Sequence, residues 1–136
     1  MISQKKYWIC IINGKNWDKL KKHKIWGVTM RYANKIKNTN IGDMLIFYIT
    51  QKKIGGIYEV SSKYFEDNDP IFDSNQYIYR VKLKPFLLPE NPIEFNKELI
   101  QKLSFIKNKK NWAGYIRQPM KIIPESDFNI ITSTFK

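Results

Sequence analysis

Cysteine is almost absent from this chain: Cys10 stands alone among 136 residues, inside the apolar run YWICII. One cysteine excludes a disulfide framework and a Cys-rich zinc site within one chain, and its place in that run reads as a small buried hydrophobe. Histidine is equally scarce. His23 sits in KKHK, where a solvated charge patch is the natural reading, so catalysis built on an imidazole base has no good candidate. Long hydrophobic runs are missing too: no stretch approaches the ~20 apolar residues of a membrane span, and MISQKKYWICII is too short in its apolar part for a secretory signal. A reducing, cytoplasmic setting without a membrane partner is therefore expected. Neither a Walker-type nor a dinucleotide-binding glycine pattern occurs, because the pair Gly55 and Gly56 lacks the rest of either fingerprint. No cofactor or metal is expected.

Acidic residues are few, with 12 Asp and Glu against 24 Lys and Arg, giving a formal net charge of +12. Such a field favours a polyanionic partner. A genome rich in A and T would also enrich Lys, Ile and Asn, so charge alone does not name that partner. Five of the acidic residues fall between Glu59 and Asp73, where a solvated face is the ordinary explanation.

What the chain has in plenty is aromatic surface: four Trp, eight Tyr and eight Phe, with a hydrophobic fraction of 43%, which excludes intrinsic disorder. Residues 1–136 have the length of one domain. Residues 7–12 read as a strand buried on both faces, and residues 15–23 as a short surface helix turning Trp17 and Leu20 inward. Residues 24–38 fit no single period, and a loop with a short helix is expected there. NIGD is a turn into MLIFYIT, a second central strand, and GGIYEVSS returns as a hairpin whose glycines mark a bulge or a close approach. Residues 64–75 read as a long surface loop. Tyr77, Tyr79, Val81 and Leu83 then alternate with Arg80, Lys82 and Lys84, predicting a strand with one apolar and one cationic face. EFNKELIQKL is a short helix, MKII a last strand, and Pro124 opens a helix with Phe128, Ile131 and Phe135 on one face. At least five strands and three or four short helices in this irregular order predict an α+β domain built on a compact, strongly curved sheet.

Cations interleave with aromatics in HKIWGVTMRY, YIYRVKLK and IKNKKNWAGYIR. Aromatic faces hold unstacked bases at ~1–3 kcal/mol each while Lys and Arg neutralise phosphates, so the pattern points to single-strand or flipped-base recognition. Most of these rings belong to the core of a small curved sheet. Trp26 and Trp112, with polar neighbours in sequence, are expected to stand outside it.

The segments YWICIINGKNWDKLKKHKIWGV, NIGDMLIFYIT, IGGIYEVSS, YIYRVKLKP and LSFIKNKKNW…MKIIPESDF, in that order, resemble the small archaeal and bacterial EVE-domain proteins of the UPF0310 type. The resemblance implies a PUA-like fold, a curved β-barrel of five or more strands flanked by short helices, similar to YTH domains. It implies a non-catalytic nucleic-acid-binding role, the reading of a modified base in RNA or DNA. On that likeness the base pocket takes Trp26 from KIWGVT, Phe72 from DPIF in place of a tryptophan, Asn13 at the end of CIIN, and Gln118 in place of an acid. Arg31, Lys107, Lys109, Lys110 and Arg117 would face the nucleic-acid backbone. Three other readings stay open: a general RNA-binding PUA-like module with no such pocket, an ASCH-like amidohydrolase using Thr29 with a nearby lysine, and a protein-interaction subunit whose basic face contacts an acidic partner.

Overall fold

The computed structural model describes residues 5–50 and 52–135. In chain order these form β1 (Tyr7–Ile12), α1 (Gly14–His23), β2 (Ile25–Val28), a 3₁₀ turn (Met30–Tyr32), α2 (Ala33–Lys37), β3 (Met44–Ile49), β4 (Lys53–Val60), β5 (Phe65–Glu66), β6 (Tyr79–Leu87) and β7 (Ile93–Glu94). Then follow α3 (Lys97–Lys102), a second 3₁₀ turn (Trp112–Tyr115), β8 (Met120–Ile123) and α4 (Glu125–Thr132).

One mixed sheet runs in the order β2-β6-β4-β3-β1-β8, with β5 added to β6 and β7 to β4. β3 pairs in parallel with β1, and the other pairings are antiparallel. The sheet curls into an open half-barrel, since its two outermost strands, β2 and β8, do not pair with each other.

The apolar run of β3 explains the two layers. Successive residues of a strand point to opposite faces. Leu45 and Phe47 enter the concave core with Trp8, Trp17, Trp26 and Tyr58, while Met44, Ile46 and Tyr48 enter a second core covered by Leu99 and Ile100 of α3 and by Phe128 and Ile131 of α4. Cys10 is fully buried in the first core, and burial pushes its thiol pKa well up, as its reading as a small hydrophobe requires.

The glycine pair has a specific cause. The register of β3 and β4 slips between Phe47 and Tyr48, which face Gly56 and Ile54, so Gly55 is the extra residue of a bulge. A Cβ at Gly55 would stand 2.6 Å from the Trp17 ring, so what approaches closely here is an indole. α1 is thereby seated on the sheet, and its start is fixed by Asn13, whose side chain accepts from the Asn16 amide at 2.8 Å. Two fully buried carboxylates lock other joints. Asp43 accepts from Lys6 N, Asn40 N and Trp8 Nε1, and Asp127 from the amides of Ser104 and Phe105, each at 2.8–3.0 Å.

The expected α+β class and curved sheet are what the chain forms, with eight strands and four short helices among the described residues. Three elements depart from the sequence reading. Residues 25–28, expected as loop, are strand β2. The loop over residues 64–75 contributes β5 and folds back onto the sheet. The cationic face of β6 is interrupted, for Arg80 is only 1% exposed whereas Lys82 and Lys84 are exposed. The polar turn at residues 51–53 includes Gln51, which lies outside the described residues. Among the described residues no helix is long and apolar enough to cross a membrane, and no group of three or more His, Cys, Asp or Glu is placed to hold a metal ion.

Candidate functional site

The open seam of the half-barrel holds a hollow of about 180 Å³. Its walls come from both sides of the gap: Ile11, Ile12 and Asn13 at the carboxyl end of β1 with Pro119 before β8, and Trp26 to Val28 of β2 with Thr29 just beyond it. Tyr32 and the loop residues Phe72 and Tyr77 complete it, with Asn16 of α1. A cavity of ~150 Å³ holds benzene, so this volume admits one base-sized ring system.

Trp26 does not stand outside the core as its polar sequence neighbours implied. It is 5% exposed and packs edge-on against Phe47, with ring centroids 5.2 Å apart. Strand alternation is the reason, because the residue before Gly27 in an edge strand turns to the concave side. Yet Trp26 also lines the hollow, and its Nε1–H, buried from solvent, finds no acceptor among the described residues. A buried donor without a partner costs ~1–3 kcal/mol, so this one is an exception in a well-satisfied core.

Phe72 reaches the hollow through a chain of supports. Gly27 pairs with Arg80, and register partners share a face. A Cβ at Gly27 would stand 3.1 Å from the Tyr77 carbonyl, 3.2 Å from Arg80 Cγ and 3.3 Å from Phe72 Cε2, so only glycine gives the loop full room. Arg80 then ties that loop down. Its Nε donates to Tyr77 O at 2.8 Å and its Nη2 to Asp69 O at 2.5 Å, its Nη1 lies 4.0 Å from Asp67, and its guanidinium sits 5.8 Å from the Phe72 ring centre. The acidic loop is thus partly a wrapping for a buried guanidinium, which is why Arg80 leaves the cationic face.

Asn13 is placed at the hollow, but its side chain is engaged: Oδ1 caps α1, and Nδ2 donates to Asp73 at 3.2 Å. Asn16 Nδ2 donates to the same carboxylate at 2.9 Å and its Oδ1 accepts from Asp73 N at 3.0 Å. The hydrogen bond from Asn16, helped by that from Asn13, holds the Asp73 carboxyl below the usual range against the opposing effect of burial. These bonds anchor Phe72 from its other side.

Gln118 and Arg117, both exposed, immediately precede Pro119 at the rim. Gln118 accepts from Lys35 Nζ, which also donates to Met120 O at 2.9 Å, so α2 bridges from the β2 side of the seam to β8. Burial, with Lys121 nearby, lowers the Lys35 pKa. Lys35 is the first lysine after Thr29, and its ammonium is occupied by these contacts. Arg31 is exposed between the lining residues Thr29 and Tyr32, with its guanidinium 5.5 Å from the Tyr32 ring centre.

The structure therefore gathers Asn13, Trp26 and Phe72 at one hollow, with Arg31, Arg117 and Gln118 next to its lining residues in the chain. Lys107, Lys109 and Lys110 are not among its walls. Lys109 and Lys110 line a separate cleft with Trp112, and Lys109 Nζ donates to Leu103 O at 2.5 Å. Sequence reasoning missed Tyr32, Asn16, Tyr77 and Gly27 as walls. The Asn13 to Asn16 spacing, that of a helix cap and the residue it bonds, was the one local signal for Asn16.

Residues 6–134 match the family model described as EVE domain. A UPF0310 protein of Pyrococcus abyssi is 41% identical over 141 residues, an alignment covering 93% of this chain and 97% of that protein. Among solved structures, the chain is similar to the YTH domain of the Zygosaccharomyces rouxii MRB1 protein in complex with N6-methyladenosine RNA, with a TM-score of 0.74 at 18% identity, covering 99% of this chain and 87% of that one. The Pho92 YTH domain in complex with m6A gives the same TM-score and identity over 100% of this chain and 89% of that one.

Proposed function

Since the chain belongs to the EVE-domain family, we propose that it is a non-catalytic nucleic-acid-binding domain that takes one modified base into the hollow beside Trp26. The observation that carries this reading is a hollow of base-ring size lined by Trp26, a buried tryptophan whose Nε1–H has no partner among the described residues. A core tryptophan with no further task has its N–H either bonded, as Trp8 Nε1 is to Asp43, or open to water. Nucleobase edges carry ring-nitrogen and carbonyl acceptors, and such an acceptor brought to Nε1 removes the cost of leaving the donor unmet.

The surroundings fit the energetics of capture. Extruding a nucleotide from its stack costs a few kcal/mol, and each aromatic wall offsets ~1–3 of that. Trp26, Phe72, Tyr32 and Tyr77 supply apolar and aromatic walls, and a methylated base buries more apolar surface among them than a plain one. Arg31 and Arg117 supply salt-sensitive attraction for phosphates that is blind to sequence. The YTH neighbours of the same fold were solved with N6-methyladenosine or its RNA, which supports a nucleic-acid partner here.

The test is a titration of methylated and plain oligonucleotides, RNA and DNA, against the wild type and Trp26→Ala. Preference for the methylated strand in the wild type, abolished by Trp26→Ala, is the expected result. Equal losses for both strands would refute the pocket.

A further inference from the structure

A second concavity lies against the other core, with a volume of about 620 Å³. Its walls combine Trp112 and Phe95 with four lysines: Lys52, Lys97, Lys109 and Lys110. No carboxylate is among its lining residues. Trp112 is half-buried, its ring 5.7 Å from that of Phe95, and Lys52 Nζ stands 5.7 Å from its ring centre. Lys52, Lys97 and Lys110 are exposed, and among the described residues the ion pair of α3 is that between Lys102 and Glu98, so the charge of the cleft is not neutralised within the fold.

We infer that this cleft is a second nucleotide subsite, which receives an unmodified base neighbouring the captured one on the same single strand. The inference rests on the base-reading function of the first hollow and adds to it where the strand goes next. An aromatic face in a cleft lined by lysines, with the Lys52 ammonium over the ring, matches a phosphodiester with its base, as charge on the backbone and stacking on a ring are how single strands are held without sequence preference. The Lys52 ammonium, now over the indole as a cation on a π face, moves to a phosphate when a base takes its place.

Strand direction brings the two sites to one end of the sheet. β1 and β3 are parallel neighbours, so their carboxyl ends lie side by side, and Thr50 N donates to Ile12 O at 3.0 Å where both strands finish. Asn13, just past β1, borders the first hollow, and Lys52, just past β3, borders the second. The segment from Trp112 to Pro119 also connects them along the chain, with Trp112 in the second site, Pro119 in the first and exposed Arg117 between the two in sequence. A strand leaving the Trp26 hollow across this end meets Arg117 and then the lysines around Trp112.

The two sites separate experimentally, because a free nucleoside fills only the first and a short oligonucleotide reaches both. The probes are N6-methyladenosine and a short single-stranded RNA carrying it at an internal position, titrated against wild type, Trp26→Ala, Trp112→Ala, Lys97→Ala and Lys110→Ala. Trp112→Ala should weaken the oligonucleotide about tenfold and leave the nucleoside unchanged. Lys97→Ala and Lys110→Ala, at exposed positions, should each lower the slope of log affinity against log salt by about 0.7 for the oligonucleotide alone. If all three bind the oligonucleotide like the wild type while Trp26→Ala still loses the nucleoside, the second subsite is wrong and the first stands. Oligonucleotide binding that needs Trp112 but ignores Trp26 keeps the cleft and discards the pocket. If the wild type binds neither probe, both readings fall.

Discussion

Gly27 and Arg80 are direct partners across the pairing of β2 with β6, and the missing side chain of the first leaves the space in which the stem of the second and the ring of Phe72 meet. The position of a pocket wall thus depends on a hydrogen atom in the opposite strand. Gly27→Ala places a methyl 3.1–3.3 Å from three groups, one of them the Tyr77 carbonyl, and overpacking of this kind costs ~1–3 kcal/mol. Denaturant unfolding should show that loss, and binding of a methylated strand should weaken with it. A variant equal to the wild type in both would show that Phe72 adjusts freely.

Arg80→Met keeps the length and apolar stem of the side chain but withdraws its donors from Tyr77 O and Asp69 O. Each carbonyl that stays covered loses a charge-assisted bond, for a total of roughly 2–4 kcal/mol. Amide exchange over residues 69–77 should accelerate before the rest of the sheet is affected. Arg80→Lys is expected to behave like Arg80→Met, because a single ammonium cannot reproduce the planar fork that serves two carbonyls at once. Restored protection in Arg80→Lys would contradict this.

Trp26→Phe separates the ring from its donor. The variant keeps a stacking face and removes the unpartnered N–H, so its affinity for the modified base should fall by ~1 kcal/mol, less than in Trp26→Ala. Calorimetry of the three proteins with one modified oligonucleotide gives the order directly. Equal affinity of Trp26→Phe and wild type would mean that Nε1 does not touch the base.

Asp73 gives a pH dependence of definite sign. Its carboxyl titrates below its ordinary value of 3.8 in the folded protein, chiefly through the bond from Asn16. A depressed acid contributes stability that is complete above the unfolded value and disappears as pH falls through the folded one. The Asn13–Asn16–Asp73 anchor is therefore intact at neutral pH and released only in acid below that ordinary value. Chemical shifts of Asn13 and Asn16 should report the release, and Asp73→Asn should remove the titration. A shift that moves through the neutral range would rule out this carboxyl as its source.

Salt distinguishes rim cations from pocket walls. Arg31→Ala and Arg117→Ala should each lower the salt slope by ~0.7 for a single strand and weaken modified and plain sequences alike. A loss confined to the modified strand would place the arginine in the pocket instead.

The strands with most apolar continuity were legible from sequence, because β1 and β3 bury both faces and leave no polar alternation to misread. β2 was not legible. It is four residues long, one of them a glycine, and it exists because β6 offers a partner for each of its residues. β5 and β7, of two residues each, depend on the same tertiary support. Trp26 and Phe72 could be nominated from their motifs, but the depth of Trp26 could not, since its polar neighbours Lys24 and Thr29 lie just outside the four-residue strand and say nothing about burial within it. Arg80 failed for a related reason. Its alternation with Lys82 and Lys84 is real, and only the return of the loop that precedes β6 covers it.

The seam between β2 and β8 has one more implication. A guest lodged there touches both lips of a sheet that has no ladder of its own across the gap, so it acts as a keystone as well as cargo. By mass action, a guest at a hundred times its Kd adds ~2.7 kcal/mol to the folded state. A melting temperature that climbs with one nucleoside and ignores its neighbours in a panel would identify the natural guest, whichever polymer carries it.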